Sequence, residues 1–396
     1  MNVENVRRDF PLYERRFNGS PPIYTDSACV TLKPNQVIGA MSRYYREFPA
    51  CAGRSSHALG REVSEEVKRA REAVRKFIGA GRPEAVIFTR NTTEGINLVA
   101  NSLKLGNGDA VLTSDKEHNS GLVPFLLLEK KGVRHKTFQF GDLGDFEKKL
   151  TGDVKLVSTA ITSNLDGTSQ PAKEMAALAH GNGSLVLLDG AQAVPNRKTS
   201  VKELDADFLA FSGHKMLGPS GTGALYGKLD FLKALNPFMV GGGTVKNSTQ
   251  EDFEMEDVPE RFEAGLQDYA GILGLAEAVK YLQRIGMENV ERHEQELNGY
   301  LSKGLAGPGM AILGDADPKS RGGVISFNIE GIHHHEVAGI LHESANIMIR
   351  SGMHCAHSWF NSHSMDGSAR ISLYLYNTKE ECDAIIEAIG KIKRLI

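Results

Sequence analysis

Asp189 and Lys215 stand 26 residues apart, each just beyond a short apolar run. Leu185 to Leu188 precedes the acid, and Phe208 to Phe211 precedes Ser212-Gly213-His214-Lys215. Such runs read as buried strands, so an acid, a serine, a histidine and a lysine are expected at two strand ends on one rim. A lysine held there can form a Schiff base when its surroundings favour the neutral amine. A carboxylate is the partner that a protonated pyridine nitrogen needs. Taken singly, the two read as a loop acid and a solvated surface cation; taken together they point to pyridoxal 5'-phosphate. Its phosphate would need a cradle. Asn91-Thr92-Thr93-Glu94-Gly95 offers hydroxyls and the free N–H groups of a helix start, with Ser212 and His214 to complete it, although an ordinary N-cap reads the same way. His118, after the run Ala110 to Thr113, could stack over a flat aromatic ring.

The elements that would position these groups are legible in outline. Strands are predicted at Ala85 to Thr89, Ala110 to Thr113, Val154 to Thr159, Leu185 to Leu188 and Phe208 to Phe211, with helices at Glu94 to Leu103 and Ala172 to Gly181. Near-continuous apolar strands with crossover helices imply a mostly parallel sheet covered on both faces, which binds ligands at the carboxyl ends of its strands. After about residue 265 the pattern becomes α+β. Helices are predicted at Tyr269 to Ile285, Met287 to Leu305, His335 to Glu343 and from Thr378, and strands at Val324 to Ile329, Ile347 to Arg350 and Arg370 to Tyr374. Asn247 to Glu256 reads as a loop. The expected domains are 16–265, a large cofactor-binding domain, and 266–396 with the N-terminal segment 1–15, a small α+β domain.

Composition narrows the functional classes. The 396 residues suit two domains. Lys and Arg (46) nearly balance Asp and Glu (49), which argues against nucleic-acid and membrane-surface binding. No apolar run is long enough for a transmembrane helix, and charges break up the N-terminal residues, so a soluble intracellular protein is expected. The four cysteines (Cys29, Cys51, Cys355, Cys382) are scattered without a C-x-x-C pair, so neither a disulfide framework nor a metal site is expected.

Across nearly its whole length the chain resembles the fold-type I pyridoxal-phosphate enzymes of the class V aminotransferase group, and within it the group II (Suf-type) cysteine desulfurases. The resemblance rests on Tyr24-Thr25-Asp26-Ser27-Ala28, Asn91 to Leu98, Asp189-Gly190-Ala191-Gln192-Ala193, Phe211 to Lys215, Arg261-Phe262-Glu263-Ala264-Gly265, Arg350-Ser351-Gly352-Met353-His354-Cys355-Ala356 and Ala369 to Tyr374. The R-x-G-x-x-C-A element is the specific one. The resemblance implies an α/β fold whose large domain holds a mostly parallel seven-stranded sheet between helices, followed by a smaller α+β C-terminal domain. It implies that Lys215 tethers pyridoxal 5'-phosphate and moves protons, Asp189 pairs with the pyridine nitrogen, and Gln192 bonds the ring's phenolate oxygen. His118 would stack on the ring and serve the chemistry. Thr92, Thr93, Ser212 and His214 would hold the phosphate, Asn164 would lie near ring and substrate, and Arg370 would clamp the substrate carboxylate. Cys355 would accept sulfur from L-cysteine, leaving L-alanine, and pass it to an acceptor protein or a small thiol. A cytoplasmic homodimer connected with iron–sulfur cluster assembly is also implied.

Cys355 decides the function. A cysteine is most often a buried, inert thiol, but this one lies in a polar loop flanked by His354 and His357, a setting in which thiols turn nucleophilic. Cys29, Cys51 and Cys382 are expected to pack or sit idle; Cys51 could also lie near the site entrance. The chain departs from the group II pattern at Asn119, where a second histidine is usual, at Met353, at 357–361, and at Leu266. There a threonine usually reaches the phosphate of the neighbouring subunit. Selenocysteine lyase and cysteine-sulfinate desulfinase stay open as related activities, an ordinary transaminase would have no use for Cys355, and a non-catalytic sulfur-carrier scaffold is the alternative outside enzymes.

Overall fold

The computed structural model describes residues 1–17 and 19–394. Asn18 and residues 395 and 396, which end the expected second domain, lie outside the described residues. A short strand β1 (Ile23–Tyr24) precedes the main sheet. That sheet contains β2 (Val86–Thr89), β3 (Ala110–Ser114), β4 (Arg134–Phe138), β5 (Val154–Ala160), β6 (Leu185–Asp189), β7 (Phe208–Ser212) and β8 (Gly223–Gly227). Its spatial order is β2-β8-β7-β6-β5-β3-β4. Pairings from β4 across to β7 are parallel, and β8 runs antiparallel between β7 and β2. Every residue of β2, β3, β7 and β8 is buried, which is the pattern expected of strands covered on both faces.

Two of these strands escape the sequence reading. β4 begins Arg134-His135-Lys136 and has an exposed first residue, because it is the edge of the sheet, where charge is tolerated and blocks further pairing. β8 is bracketed by glycines. The segment expected as a loop at Asn247 to Glu256 contains a hairpin instead, β9 (Val245–Ser248) with β10 (Phe253–Met255). Its residues are almost all exposed, so it lacks the apolar alternation by which a half-buried strand is read.

The second sheet contains β11 (Met310–Ile312), β12 (Val324–Ile329), β14 (Arg350–Gly352) and β15 (Ser368–Ser372), antiparallel in the order β11-β12-β15-β14. The single strand expected at Ile347 to Arg350 is two. β13 (Ile347–Met348) pairs in parallel with β1, and β14 turns away to pair with β15. The amino-terminal segment is therefore sewn to the small sheet, and Ala28 N–H continues the seam by donating to Ser372 Oγ at 2.9 Å. The helix Tyr269–Ile285, capped by Asp268 on Gly271 N–H, buries its apolar face in the same core as the large sheet, as do Met287 and Val290. We propose that packing divides the chain nearer Gly286 than the expected 265/266 boundary.

The other edge, β2, carries the Asn91–Thr93 turn at its carboxyl end, and an ion pair holds it. Arg71 and Glu263 meet in a fork at 2.7 and 2.9 Å. Glu263 also accepts Phe88 N–H at 2.7 Å, and Arg71 donates to Val86 O at 2.6 Å. The pair thus satisfies the backbone groups that an edge strand leaves open. Both side chains are largely buried, and removing one partner leaves an uncompensated charge. Glu263→Ala should destabilise the protein by about 3–5 kcal/mol, seen as a lower midpoint in chemical denaturation at unchanged slope; a midpoint equal to wild type would contradict this account of the edge.

Candidate active site

The carboxyl ends of β5, β6 and β7 open on a cavity of ≈ 230 Å³, and all eleven residues expected from the sequence line it. Register explains the convergence. Ala160, Asp189 and Ala210 are paired across three adjacent parallel strands, and Ser212 closes β7 two residues further on. Asp189 is 7% exposed, and its Oδ1 accepts Ala191 N–H at 2.8 Å. Lys215 sits in the single turn Gly213–Lys215 that follows β7. It is open to the cavity on one side and stripped of water by protein on the others. Burial pushes its ammonium pKa down, against the pull of Asp189; burial pushes the Asp189 carboxyl up, against the pull of Lys215.

The start of the helix Thr92–Ser102 faces the same space. Asn91 caps it by accepting Glu94 N–H at 3.0 Å. Thr92 N–H donates to Ser212 Oγ at 2.9 Å, and the Thr92 and Ser212 hydroxyls lie 2.7 Å apart. Thr93 Oγ1 meets Ser120 Oγ at 2.7 Å. His214 lies beside Lys215, and its pKa is pushed down to about 4, first by burial and then by Lys215 and Lys33. This corner is thus a set of hydroxyls and a neutral imidazole at a helix start, which suits an anion. His118 is pushed down to about 3 by burial, with Lys215, Arg370 and Arg350 adding to it. Its Nδ1 accepts Ser120 N–H at 3.0 Å, which assigns the ring proton to Nε2. Next to it, buried Glu117 accepts from Ser114 Oγ at 2.5 Å and Thr159 Oγ1 at 2.7 Å, locking the turn to β3 and β5.

On the side formed by the small sheet, Arg370 on β15 is 2% exposed. It donates to Asn164 O at 2.8 Å and lies 3.4 Å from Asp26 Oδ1. Its buried Nε has no hydrogen-bond partner among the described residues. Asn164 Nδ2 donates to His354 O at 2.6 Å, joining this loop to the cysteine segment. The loop turns at Gly167 with φ +75°, where a Cβ would run into Arg321 O. Gln192 Nε2 donates to Ala28 O at 2.8 Å, which leaves its second amide proton for a ligand.

Cys355 is partly exposed and lines the cavity. His354 and Cys355 adopt φ +49° and +58°, consecutive left-handed residues of a kind that cluster at functional sites. Asn119 holds this turn: its N–H donates to Cys355 O at 2.7 Å, and its side chain meets His357 Nδ1 at 3.0 Å. The departure at Asn119 thus places an amide, which does not titrate, at a hinge of the cysteine segment.

Among the cavity residues outside the expected set are Cys29 and Arg350, and the sequence reading misjudged the first. Cys29, expected to pack or sit idle, lines the cavity, with the Arg350 guanidinium directly against its sulfur. Cys29 comes in through the β1–β13 pairing, which joins residues more than 300 positions apart, and Arg350 through the β14–β15 pairing that follows it. The nearest signal in the sequence is that Cys29 directly follows the Tyr24–Ala28 element. Cys51 lines a different cavity, 3.9 Å from Tyr269 Oη, away from this site. Cys382 is packed in the small-domain core, where burial pushes its thiol up to about 12.

The donor set fits a phosphorylated pyridine aldehyde. The helix start and hydroxyls could hold its phosphate, Asp189 its ring nitrogen and Lys215 its aldehyde carbon, while the orphaned Arg370 Nε marks room for a carboxylate. Comparison with known proteins gives the same direction. The Aminotransferase class-V family profile matches residues 23–385. A probable cysteine desulfurase of Halalkalibacterium halodurans is 39% identical over 99% of this chain and 98% of its own. A cysteine desulfurase of Haloferax volcanii is 39% identical over 100% of this chain and 98% of its own. The apo structure of a cysteine desulfurase from Thermococcus onnurineus superposes with a TM-score of 0.95 at 35% identity, covering 99% of this chain and 98% of that one. The cavity, the sheet that frames it and these full-length likenesses agree: the chain belongs to the class-V aminotransferase family, among relatives that are cysteine desulfurases.

Proposed function

We propose that this chain is a pyridoxal 5'-phosphate-dependent cysteine desulfurase of the group II type, which converts L-cysteine to L-alanine and carries the sulfur as a persulfide on Cys355. The observation that carries the reading is the amine of Lys215 and the thiol of Cys355 on one cavity. The cofactor, once bound, supplies an electron sink for charge that develops at the substrate α-carbon. Asp189, buried and singly hydrogen-bonded, would hold the ring nitrogen and favour its protonated form. Lys215 tethers the cofactor, then takes the substrate α-proton as general base. Arg370 holds the substrate carboxylate, with its Nε and the cationic Arg350 both available. His118, neutral at any ordinary pH, covers the ring without adding charge, and Asn164 orients the cysteine segment. The Cys355 thiolate attacks the substrate sulfur: an S–S bond forms, the C–S bond breaks with its electron pair left on carbon, and the carbon fragment takes up one proton at Cβ and recovers the α-proton from Lys215 to leave as L-alanine.

The sulfur then passes to an acceptor protein or a small thiol, in the cytoplasm and toward iron–sulfur cluster assembly. A homodimer is supported by large apolar residues exposed on the single chain, above all Leu266 at 73%, Tyr45 at 64% and Phe253 at 62%. Among the described residues no helix is long and apolar enough to cross a membrane.

Three outcomes test the reading. Cys355→Ala should bind cysteine yet form no protein persulfide, and mass mapping of the thiols should find the added sulfur on Cys355 in the wild type. Sulfur first appearing on Cys29, with Cys29→Ser inactive and Cys355→Ala intact, would transfer the role. Activity kept by Cys355→Ala toward selenocysteine or cysteine sulfinate at wild-type rates, with none toward cysteine in either protein, would favour those related reactions. Lys215→Ala should lose the borohydride-reducible cofactor link and multiple turnover; a retained covalent link would exclude its tethering role. Arg370→Ala should raise KM for cysteine about 10- to 100-fold, the worth of about 1.5–3 kcal/mol for a hydrogen bond to a charged group. An unchanged KM would remove the carboxylate clamp.

A further inference from the structure

Three side chains that the catalytic cavity does not use converge where β15 meets the helix His334–Ala345. His333 Nε2 lies 3.1 Å from Asp366 Oδ2, and His334 Nε2 lies 3.8 Å from Asp366 Oδ1. One ligand-type atom from each of the three residues falls within 4.8 Å of the others. His334 is 4% exposed, and neither of its ring nitrogens has a hydrogen-bond partner among the described residues. Leaving such a group unpaired is costly, so the arrangement calls for a ligand. The His333–Asp366 contact explains that pair alone and leaves the buried ring unexplained.

The backbone makes room for the cluster. Gly367, at φ +143°, would carry a Cβ 2.7 Å from His334 Nε2, so a glycine is required for the ring to sit there.

We propose that His333, His334 and Asp366 form a binding site for one divalent cation of the zinc class, with a fourth position open to water. The sequence reading expects no metal, because it looks for paired cysteines; two adjacent histidines and an acid 32 positions beyond the second leave no such signature. Imidazole and carboxylate ligands bind zinc at about 2.0–2.2 Å, which sets neighbouring donors of a tetrahedron about 3.4 Å apart. The two histidine–aspartate separations bracket that spacing. Two nitrogens in the set disfavour magnesium and calcium, which take oxygen. The location gives the site a consequence. Asp366 ends the segment that carries Cys355, and His335 on the same helix meets Ser351 Oγ of β14 at 2.8 Å. A bound cation would therefore pin the downstream end of the Cys355 segment to this helix.

The test uses the chelator-dialysed holoenzyme titrated with Co2+ and then with Zn2+. One Co2+ per chain should bind, with visible d–d absorption and no thiolate-to-metal charge-transfer band. Asp366→Asn, a change at an exposed side chain that should not impair folding, and His334→Gln should each weaken binding about tenfold or more, since even residues that merely support a ligand cost 10–100-fold. Cys355→Ser should bind as the wild type does. Zn2+ should raise the Tm of the wild type but not of Asp366→Asn. Binding unchanged in Asp366→Asn, or binding lost in Cys355→Ser with a thiolate band in the wild type, would overturn the site.

Discussion

A carboxylate and an amine buried at the ends of neighbouring strands are the constraint on which this structure turns. Burying either charge alone costs several kcal/mol. Asp189 and Lys215 each feel that cost, the acid drawn toward its protonated form and the amine toward its neutral one, and each is partly restored by the other. The parallel sheet makes the arrangement unavoidable. Once β6 and β7 pair in register through Asp189 and Ala210, the turn after β7 brings Lys215 to the acid's rim. The protein thus draws an amine toward its neutral form without displacing it into solvent, the form in which a lysine can attack a carbonyl.

Everything else at the site is brought in from a distance to complete that pair. The large sheet alone supplies the acid, the amine and the hydroxyl corner. The guanidiniums and the thiols come from the small sheet and from the amino-terminal segment stitched to it. The junction is polar and specific. Arg370 reaches across to Asn164 O, Asn164 to His354 O, and Asn119 to Cys355 O. Each bond ties a residue of the large sheet's loops to a residue of the small sheet or its cysteine segment, so the cavity exists only when both sheets are folded and seated together.

How much of this can be read from the chain follows from burial and distance. β5, β6 and β7 are legible because burial on both faces demands unbroken apolar runs. The helices at Ala172–Gly181, Tyr269–Ile285 and Met287–Leu305 begin and end as expected, because their apolar stripes and flanking breakers are local signals. β4 and the β9–β10 hairpin are illegible for the converse reason: one is an edge and the other lies in solvent, so neither carries a core pattern. The site divides in the same way. Asp189, Ser212 and Lys215 could be placed by strand ends alone. His118 could be placed after its strand in the same way, whereas Asn164, Gln192, Arg370 and Cys355 rest on family resemblance. Cys29 and Arg350 became visible as neighbours only through pairings between the two ends of the chain.

The departure from the family pattern at Asn119 fits the electrostatics of the cavity. Arg350 and Arg370 give the cavity a positive field that helps hold His118 and His354 neutral, with burial the larger cause for both. A second titrating histidine beside His118 would feel the same field and lose its proton as well. Asn119 at that position provides the hydrogen bonds to Cys355 O and His357 with no charge to lose. The cysteine turn is thus fixed by a group indifferent to pH, while the field itself is left to the two guanidiniums. An anionic substrate carboxylate and an attacking thiolate both gain from that field, which is why a site built to move sulfur between two thiols concentrates positive charge around them.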